Sequence, residues 1–326
     1  MKCLLLGGSG FLGSHVTDRL MAAGHEVCIF DLATERFRRR PPDVEFVSGD
    51  LRNVSSLDQL LSRKFDVVLH FVTTTTPKSS NESPEFDIQS NVVATVELLR
   101  LCLKHEVPRF IYLSSGGTVY GDIGNAARVD ETFPTNPICS YGISKLTVER
   151  FLHMYQRLNG LSYAALRVSN PYGERQSPQL SQGALAVFLY RVMNNMEVDV
   201  WGDGSVVRDF IYAGDVADAV LAALPPQING IYNVGSDIGV SVIDLLRQIG
   251  EIVGKEPIIR WSPSRQYDVP RIVLDSSRFA RATGWQCCVG LRQGLMKTSA
   301  WIAQRNFNES TKPTVIPISK LERHNR

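Results

Sequence analysis

The chain has 326 residues, 44% of them hydrophobic, with 35 basic against 33 acidic side chains and a formal net charge of +2. That length supports a sizeable core in two lobes, and the balanced charge argues against nucleic acid or an anionic membrane as a partner. No apolar stretch approaches the ~20 residues of a membrane span. The six cysteines are scattered without metal-ligand spacing, so no metal is expected and a reducing, cytoplasmic setting fits. Met1 runs directly into an apolar segment, so no secretory leader is expected.

Lys2 to Leu6 suits a buried parallel strand. Gly7-Gly8-Ser9-Gly10-Phe11-Leu12-Gly13 follows at once. It reads as G-x-G-x-x-G from Gly8, Gly10 and Gly13, or as G-x-x-G-x-x-G from Gly7, Gly10 and Gly13. Either form, between a strand and a helix, suits a pyrophosphate at the helix N-terminus. The helix runs from Phe11 to Ala23 and stops at Gly24. The second strand, Val27 to Phe30, ends in Asp31, an acidic residue placed for ribose hydroxyls and against a 2′-phosphate. NAD is therefore expected rather than NADP. Arg36 and Arg38 to Arg40 read as a solvated loop.

Val44 to Ser48 is a third strand, followed by Gly49-Asp50-Leu51 and a helix from Ser55 to Leu61. Asp50 either reaches the adenine edge or simply forms a turn. Asp66 to Phe71 is a fourth strand, with His70 to Thr73 facing the pyrophosphate and nicotinamide. A polar loop, Thr73 to Ser83, precedes a helix from Pro84 to Leu103. Arg109 to Leu113 is the fifth strand, Tyr141 to Leu158 a long helix, and Tyr163 to Arg167 the sixth strand. This alternation predicts an α/β fold, a doubly wound parallel Rossmann sheet. Beyond residue 168 the elements shorten, giving a smaller α/β substrate-binding lobe. The expected division is 1–168 for the cofactor domain, with 206–238 partly returning to it through Phe210 to Tyr212 and Ile231 to Val234. Residues 169–205 and 239–305 form the second lobe, and 306–326 a tail.

Tyr141 and Lys145 carry the clearest chemistry. A spacing of four puts phenol and ammonium on one helical face. A phenol with a pKa near 10 is a poor base at neutral pH, and a neighbouring cation is expected to lower it.

These motifs together resemble the extended short-chain dehydrogenase/reductases, and within them the NAD-dependent nucleotide-sugar epimerases of the UDP-glucose 4-epimerase type. The resemblance extends to about Ile302. It rests also on Ser114-Ser115-Gly116-Gly117-Thr118-Val119-Tyr120-Gly121, Arg167-Val168-Ser169-Asn170-Pro171-Tyr172-Gly173, Trp201-Gly202-Asp203-Gly204, Arg208-Asp209-Phe210-Ile211-Tyr212 and Asn233-Val234-Gly235-Ser236. It implies Tyr141 as catalytic acid and base, tuned by Lys145, and adds to the catalytic set Thr118, whose hydroxyl bonds the sugar, and Ser115, which with Ser114 ends the fifth strand beside the nicotinamide. It implies an NAD site of Gly7, Gly10, Phe11, Leu12, Gly13, Asp31, Asp50, Leu51, Phe71, Val72, Thr73, Asn91, Ser114, Tyr141, Lys145 and Ser169. For a UDP-sugar it implies Thr118, Asn170, the diphosphate clamp Arg208 and Arg265, and secondarily Arg271. A salt bridge to Asp209 or Asp215 is the competing use of Arg208. Ile272 falls near the position that gates the sugar's 2-substituent. Gly116 and Gly117, where related dehydratases place acids, leave room near the sugar and cannot move a proton. The resemblance also implies a homodimer through the helices Pro84 to Leu103 and Tyr141 to Leu158.

Overall fold

The computed structural model describes residues 1–179, 183–265, 268–305 and 307. The first half alternates as expected. It comprises β1 (Lys2–Leu6), α1 (Phe11–Ala22), β2 (Glu26–Asp31), β3 (Glu45–Ser48), α2 (Val54–Leu61), β4 (Val67–His70), α3 (Pro77–Glu82), α4 (Pro84–Asp87), a π-helical turn (Ile88–Val93), α5 (Ala94–Lys104), β5 (Arg109–Ser115), α6 (Ser140–Asn159) and β6 (Ser162–Val168). The second half holds β7 (Asn170–Tyr172), α7 (Ala184–Met193), β8 (Val198–Trp201), β9 (Val207–Tyr212), α8 (Ala213–Ala222), β10 (Gly230–Val234), β11 (Gly239–Ser241), α9 (Val242–Val253), β12 (Ile259–Ser262), β13 (Arg271–Ile272), α10 (Ser277–Thr283) and α11 (Leu291–Ala303).

Seven parallel strands form the main sheet in the order β10-β6-β5-β4-β1-β2-β3. Successive side chains of a strand point to opposite faces, so a sheet covered on both sides needs apolar residues throughout. In β1, Cys3 and Leu5 enter one core while Leu4 and Leu6 enter the other. The second lobe has its own core around Tyr172, Phe188, Leu245 and Trp301. It carries a small sheet in which β9 pairs with β7, β11 and β13, and a separate β12-β8 pair.

Two expectations change. Of the segments expected to return to the main sheet, β10 does so as its edge strand beside β6, whereas Phe210 to Tyr212 lie in β9 of the small sheet. Asn170 to Tyr172 pair with Phe210 to Tyr212. Phe210 and Tyr212 of β9 therefore pack in the core of the second lobe while Ile211 between them packs in the core under the main sheet, a division that periodicity cannot distinguish. The helix expected from Pro84 to Leu103 runs unbroken to Lys104 with the π-turn inside it, and the hydroxyls of Ser90 and Thr95 bond back to Phe86 O and Asn91 O. The expected polar loop Thr73 to Ser83 contains α3, begun by a capping box between Thr76 and Ser79. The expected tail 306–326 lies, apart from Phe307, outside the described residues.

Candidate active site

A cleft of about 1800 Å³ opens at the C-terminal ends of β1, β2, β4 and β5 and continues across to the second lobe. The half beside β1 and β2 is shaped by backbone. Gly7 has φ +82°, and a Cβ there would sit 3.0 Å from Val72 N. A Cβ on Gly13 would lie 2.2 Å from Gly7 O, so α1 crosses the turn at a distance only glycine allows. Gly7, Gly10 and Gly13 line the cleft, whereas Gly8 is packed against Ile29. The motif therefore works as G-x-x-G-x-x-G. Ser9 Oγ, in the same turn, is buried without a hydrogen-bond partner.

Asp31 accepts hydrogen bonds from Ser9 N at 3.0 Å and Leu32 N at 2.8 Å. Burial pushes its carboxyl up while those amides oppose the shift. Asp50 also lines the cleft. It forms both the turn and an ion pair, accepting from Arg52 N and Arg52 Nη2. Partial burial pushes the Asp50 carboxyl up, but the Arg52 contacts leave it below its ordinary value. Arg38 is no solvated loop residue. It is half-buried and binds Asp18, Glu35 and Ser14 O, tying its loop to α1.

At the centre of the cleft, Tyr141 and Lys145 project from α6. Ser80 and Asn81 of α3 accept hydrogen bonds from Tyr141 N and Ser140 N at 3.0 and 2.9 Å, so α3 caps the helix that carries the pair. Lys145 Nζ donates to Leu113 O at 2.9 Å and lies 5.5 Å from the Tyr141 ring centre and 4.8 Å from that of Tyr112. Burial lowers Lys145 to about 8, opposed by Asp87 and Glu149. The expected lowering of Tyr141 does not occur in the protein alone. Burial pushes the phenol well up, Cys139 and Asp87 add to this, and a hydrogen bond with Thr73 opposes it. Desolvation of a phenolate outweighs one ammonium set beside the ring.

Ser114, Ser115, Gly117, Thr118, Ser169 and Asn170 line the same centre. Thr118 Oγ1 is buried and has no hydrogen-bond partner, an unused acceptor and donor in a residue of the cleft lining. Asn170 Nδ2 donates to Asp209 O at 3.0 Å. Gly117 faces the cleft, where an added Cβ would make only an ordinary 3.7 Å contact with Asn170. Gly116 faces the other way. A Cβ there would meet Leu274 at 2.5 Å and Arg167 O at 3.0 Å, so that glycine serves packing and makes no room for a sugar.

Arg208 and Arg265 line the second-lobe end. Arg208 makes no ion pair among the described residues. Its Nη1 donates to Val207 O and Val269 O, and burial lowers its pKa. Arg265 lies over the Trp201 ring, 3.3 Å from its centre. Three expected site residues are not brought to the cleft. Asn91 bonds Thr74 N, Thr75 Oγ1 and Asp87, supporting the loop that lines it. Arg271 donates to Ala127 O instead. Ile272 is buried with Val119, Tyr120 and Leu274. Sequence reasoning missed Phe188 and Arg175 in the cleft lining and the buried pair Glu149–Arg167 beneath it. Phe188 sits in the apolar run of α7, which its helical spacing assigns to core alone.

A glycine turn that a Cβ would close, an acid at the end of β2 and a Tyr-x-x-x-Lys pair over the same cleft define a dinucleotide-dependent enzyme. The chain belongs to the NAD dependent epimerase/dehydratase family, whose profile matches residues 3–235. It is similar to the UDP-glucose 4-epimerase of Mycolicibacterium smegmatis, 33% identical over 91% of this chain and 97% of that one. It is similar in structure to the UDP-glucose 4-epimerase of Thermus thermophilus solved with NAD, with TM-score 0.89, 34% identity, and coverage of 94% and 100%. The UDP-glucose 4-epimerase of Thermotoga maritima solved with UDP-glucose gives TM-score 0.89, 32% identity, and coverage of 93% and 99%.

Proposed function

We propose that the protein inverts C4 of a UDP-linked sugar through a transient 4-keto form. The observation that carries this reading is the single cleft joining the glycine turn, Tyr141 with Lys145, and the two arginines of the second lobe. Similar proteins that are named UDP-glucose 4-epimerases support it. Gly7, Gly10, Gly13, Asp31 and Lys145 would hold NAD, which when bound supplies the acceptor for the C4 hydride and returns it. Its positive nicotinamide would also favour the Tyr141 phenolate that burial disfavours.

Tyr141 takes the proton of the C4 hydroxyl and returns it after the keto sugar has turned over. Thr118, with Ser115 beside it, holds the sugar hydroxyl. Arg208 and Arg265 hold the diphosphate in pairs of hydrogen bonds, so the nucleotide stays fixed while the sugar rotates. Gly117 leaves room for that rotation and carries no acid for dehydration. Residues 1–168 act as the cofactor-binding unit and the later lobe as the nucleotide-sugar unit.

The test is a panel of UDP-glucose, UDP-galactose, their N-acetyl forms and UDP-glucuronate, incubated without added cofactor and read by NMR. A C4-inverted product supports the reading. A 4-keto or decarboxylated product overturns it. A role in polysaccharide sugar supply in the cytoplasm accords with that activity. A homodimer is part of the proposal, supported by exposed Ile88, Val93, Ile143, Met154 and Leu158 on the π-turn and α6. A monomeric mass by light scattering at micromolar concentration would contradict it.

A further inference from the structure

Asp87 ends α4 and is fully buried. A buried carboxylate is stable only when its oxygens are bonded and its charge is answered. The bonding is complete. Oδ1 accepts from the Thr75 hydroxyl and from Asn91 Nδ2 at 2.9 Å, and Oδ2 from the hydroxyls of Ser140 at 2.9 Å and Ser144 at 2.6 Å. These donors belong to the loop Thr73 to Thr76, the π-turn and the first turns of α6, and all are neutral. Asp87 makes no ion pair among the described residues.

The other titratable groups around it do not answer its charge. Cys139, before α6, and Tyr112 on β5 are pushed up by burial and stay neutral. His70 on β4 is held at about 3 by burial and by Lys145, so it too is neutral. Glu149 on α6 is a second carboxylate, but Arg167 binds it at 2.7 Å. Lys145 remains as the cation facing Asp87, and the Asp87 charge also acts on Tyr141.

We propose that Asp87 is a positioning residue of this site, a buried carboxylate that seats the loop Thr73 to Thr76 against α6 and supplies the negative charge against which Tyr141 and Lys145 titrate. The inference rests on Tyr141 being the acid and base of the proposed epimerisation. Its test reads Tyr141 directly. The ultraviolet absorbance of phenolate is followed against pH in the holoenzyme, with Tyr141→Phe subtracted, for wild type, Asp87→Asn and Ser144→Ala. The pH dependence of kcat is measured alongside.

Asp87→Asn should move the phenolate midpoint and the acid limb of kcat to lower pH by about one unit, a tenfold rise in phenolate below the midpoint. A merely structural role would lower kcat at every pH and leave the midpoint at its wild-type value, which would overturn the proposal. Should Asp87→Asn not fold, Ser144→Ala decides. It keeps the carboxylate but removes a donor that offsets its charge, so a smaller shift to higher pH is expected. An unchanged or acid-shifted midpoint there overturns the proposal. Absence of product from the UDP-sugar panel in wild type would defeat the epimerase reading alone, since the phenolate titration needs no turnover.

Discussion

The two halves of the cleft are built by different means. The half at the glycine turn is a surface of backbone, where Gly7 and Gly13 bring chain segments together too closely for any side chain. The second-lobe half is a surface of side chains, where Arg208 and Arg265 line the cleft from β9 and from the segment after β12. A backbone site is fixed by the fold itself, and a side-chain site can be re-specified without refolding. Damage to the first should therefore cost stability and cofactor together, and damage to the second should cost substrate affinity alone.

Tyr141, at the seam, gives the largest separation. Tyr141→Phe removes the proton carrier and leaves both binding halves intact. Turnover should fall by about 10²–10⁴-fold while NAD and UDP binding stay near wild type, read by steady-state kinetics and calorimetry. Near-normal turnover would remove Tyr141 from the chemistry.

Gly13→Ala tests the backbone half. The new methyl meets Gly7 O and Gly8 Cα, neither of which can swing away. A loss of about 1–3 kcal/mol of stability is expected, together with weaker NAD binding, by thermal melts with and without NAD. A stable variant with normal NAD affinity would show that α1 does not depend on that close crossing.

Arg208→Leu tests the other half. Losing a charged donor to a diphosphate is worth about 1.5–3 kcal/mol, so KM should rise roughly ten- to a hundredfold with NAD affinity unchanged. A parallel loss of NAD affinity would mean that the halves are not separable.

The same division explains what the sequence made legible. The glycine turn and Asp31 were readable because they are local, an apolar run, a turn and a helix start within thirty-one residues, and the main sheet because each of its strands is an apolar run of its own. Tyr141 and Lys145 were readable as a helical pair, but the direction of the Tyr141 shift was not, since it depends on burial contributed by distant segments. Gly116 and Gly117 were read as one gap, yet consecutive residues face opposite ways, and only Gly117 meets the cleft. Arg271 and Ile272 were placed by the family resemblance alone, and both lie in β13, paired to β9, with their side chains away from the cleft lining. Asp87 had one readable mark, an acid four residues before Asn91 on the same helical face. Its partners Ser140 and Ser144 lie more than fifty residues away.

His15 gives the smallest effect and tests whether the two halves stay joined. It stands on α1, its Nε2 is 2.8 Å from Glu174 O, and its Nδ1 is 3.4 Å from Arg175 Nη2. Those partners assign the tautomer: Nε2 donates to the carbonyl and Nδ1 accepts from the guanidinium. A proton on Nδ1 would face Arg175 donor to donor. Burial first, and Arg175 second, lower His15 from 6.5 to about 4. The unfolded chain then binds the proton that the folded one refuses. Stability is complete above pH 6.5 and is lost as pH falls from there toward 4, by about 2 kcal/mol between pH 7 and pH 5. His15→Gln keeps an amide donor for Glu174 O and has nothing to protonate. Urea midpoints at the two pH values should then draw together in the variant by that amount. An equal acid loss in both proteins would move the cause to His70, whose ring is lowered further still but touches only the cofactor half.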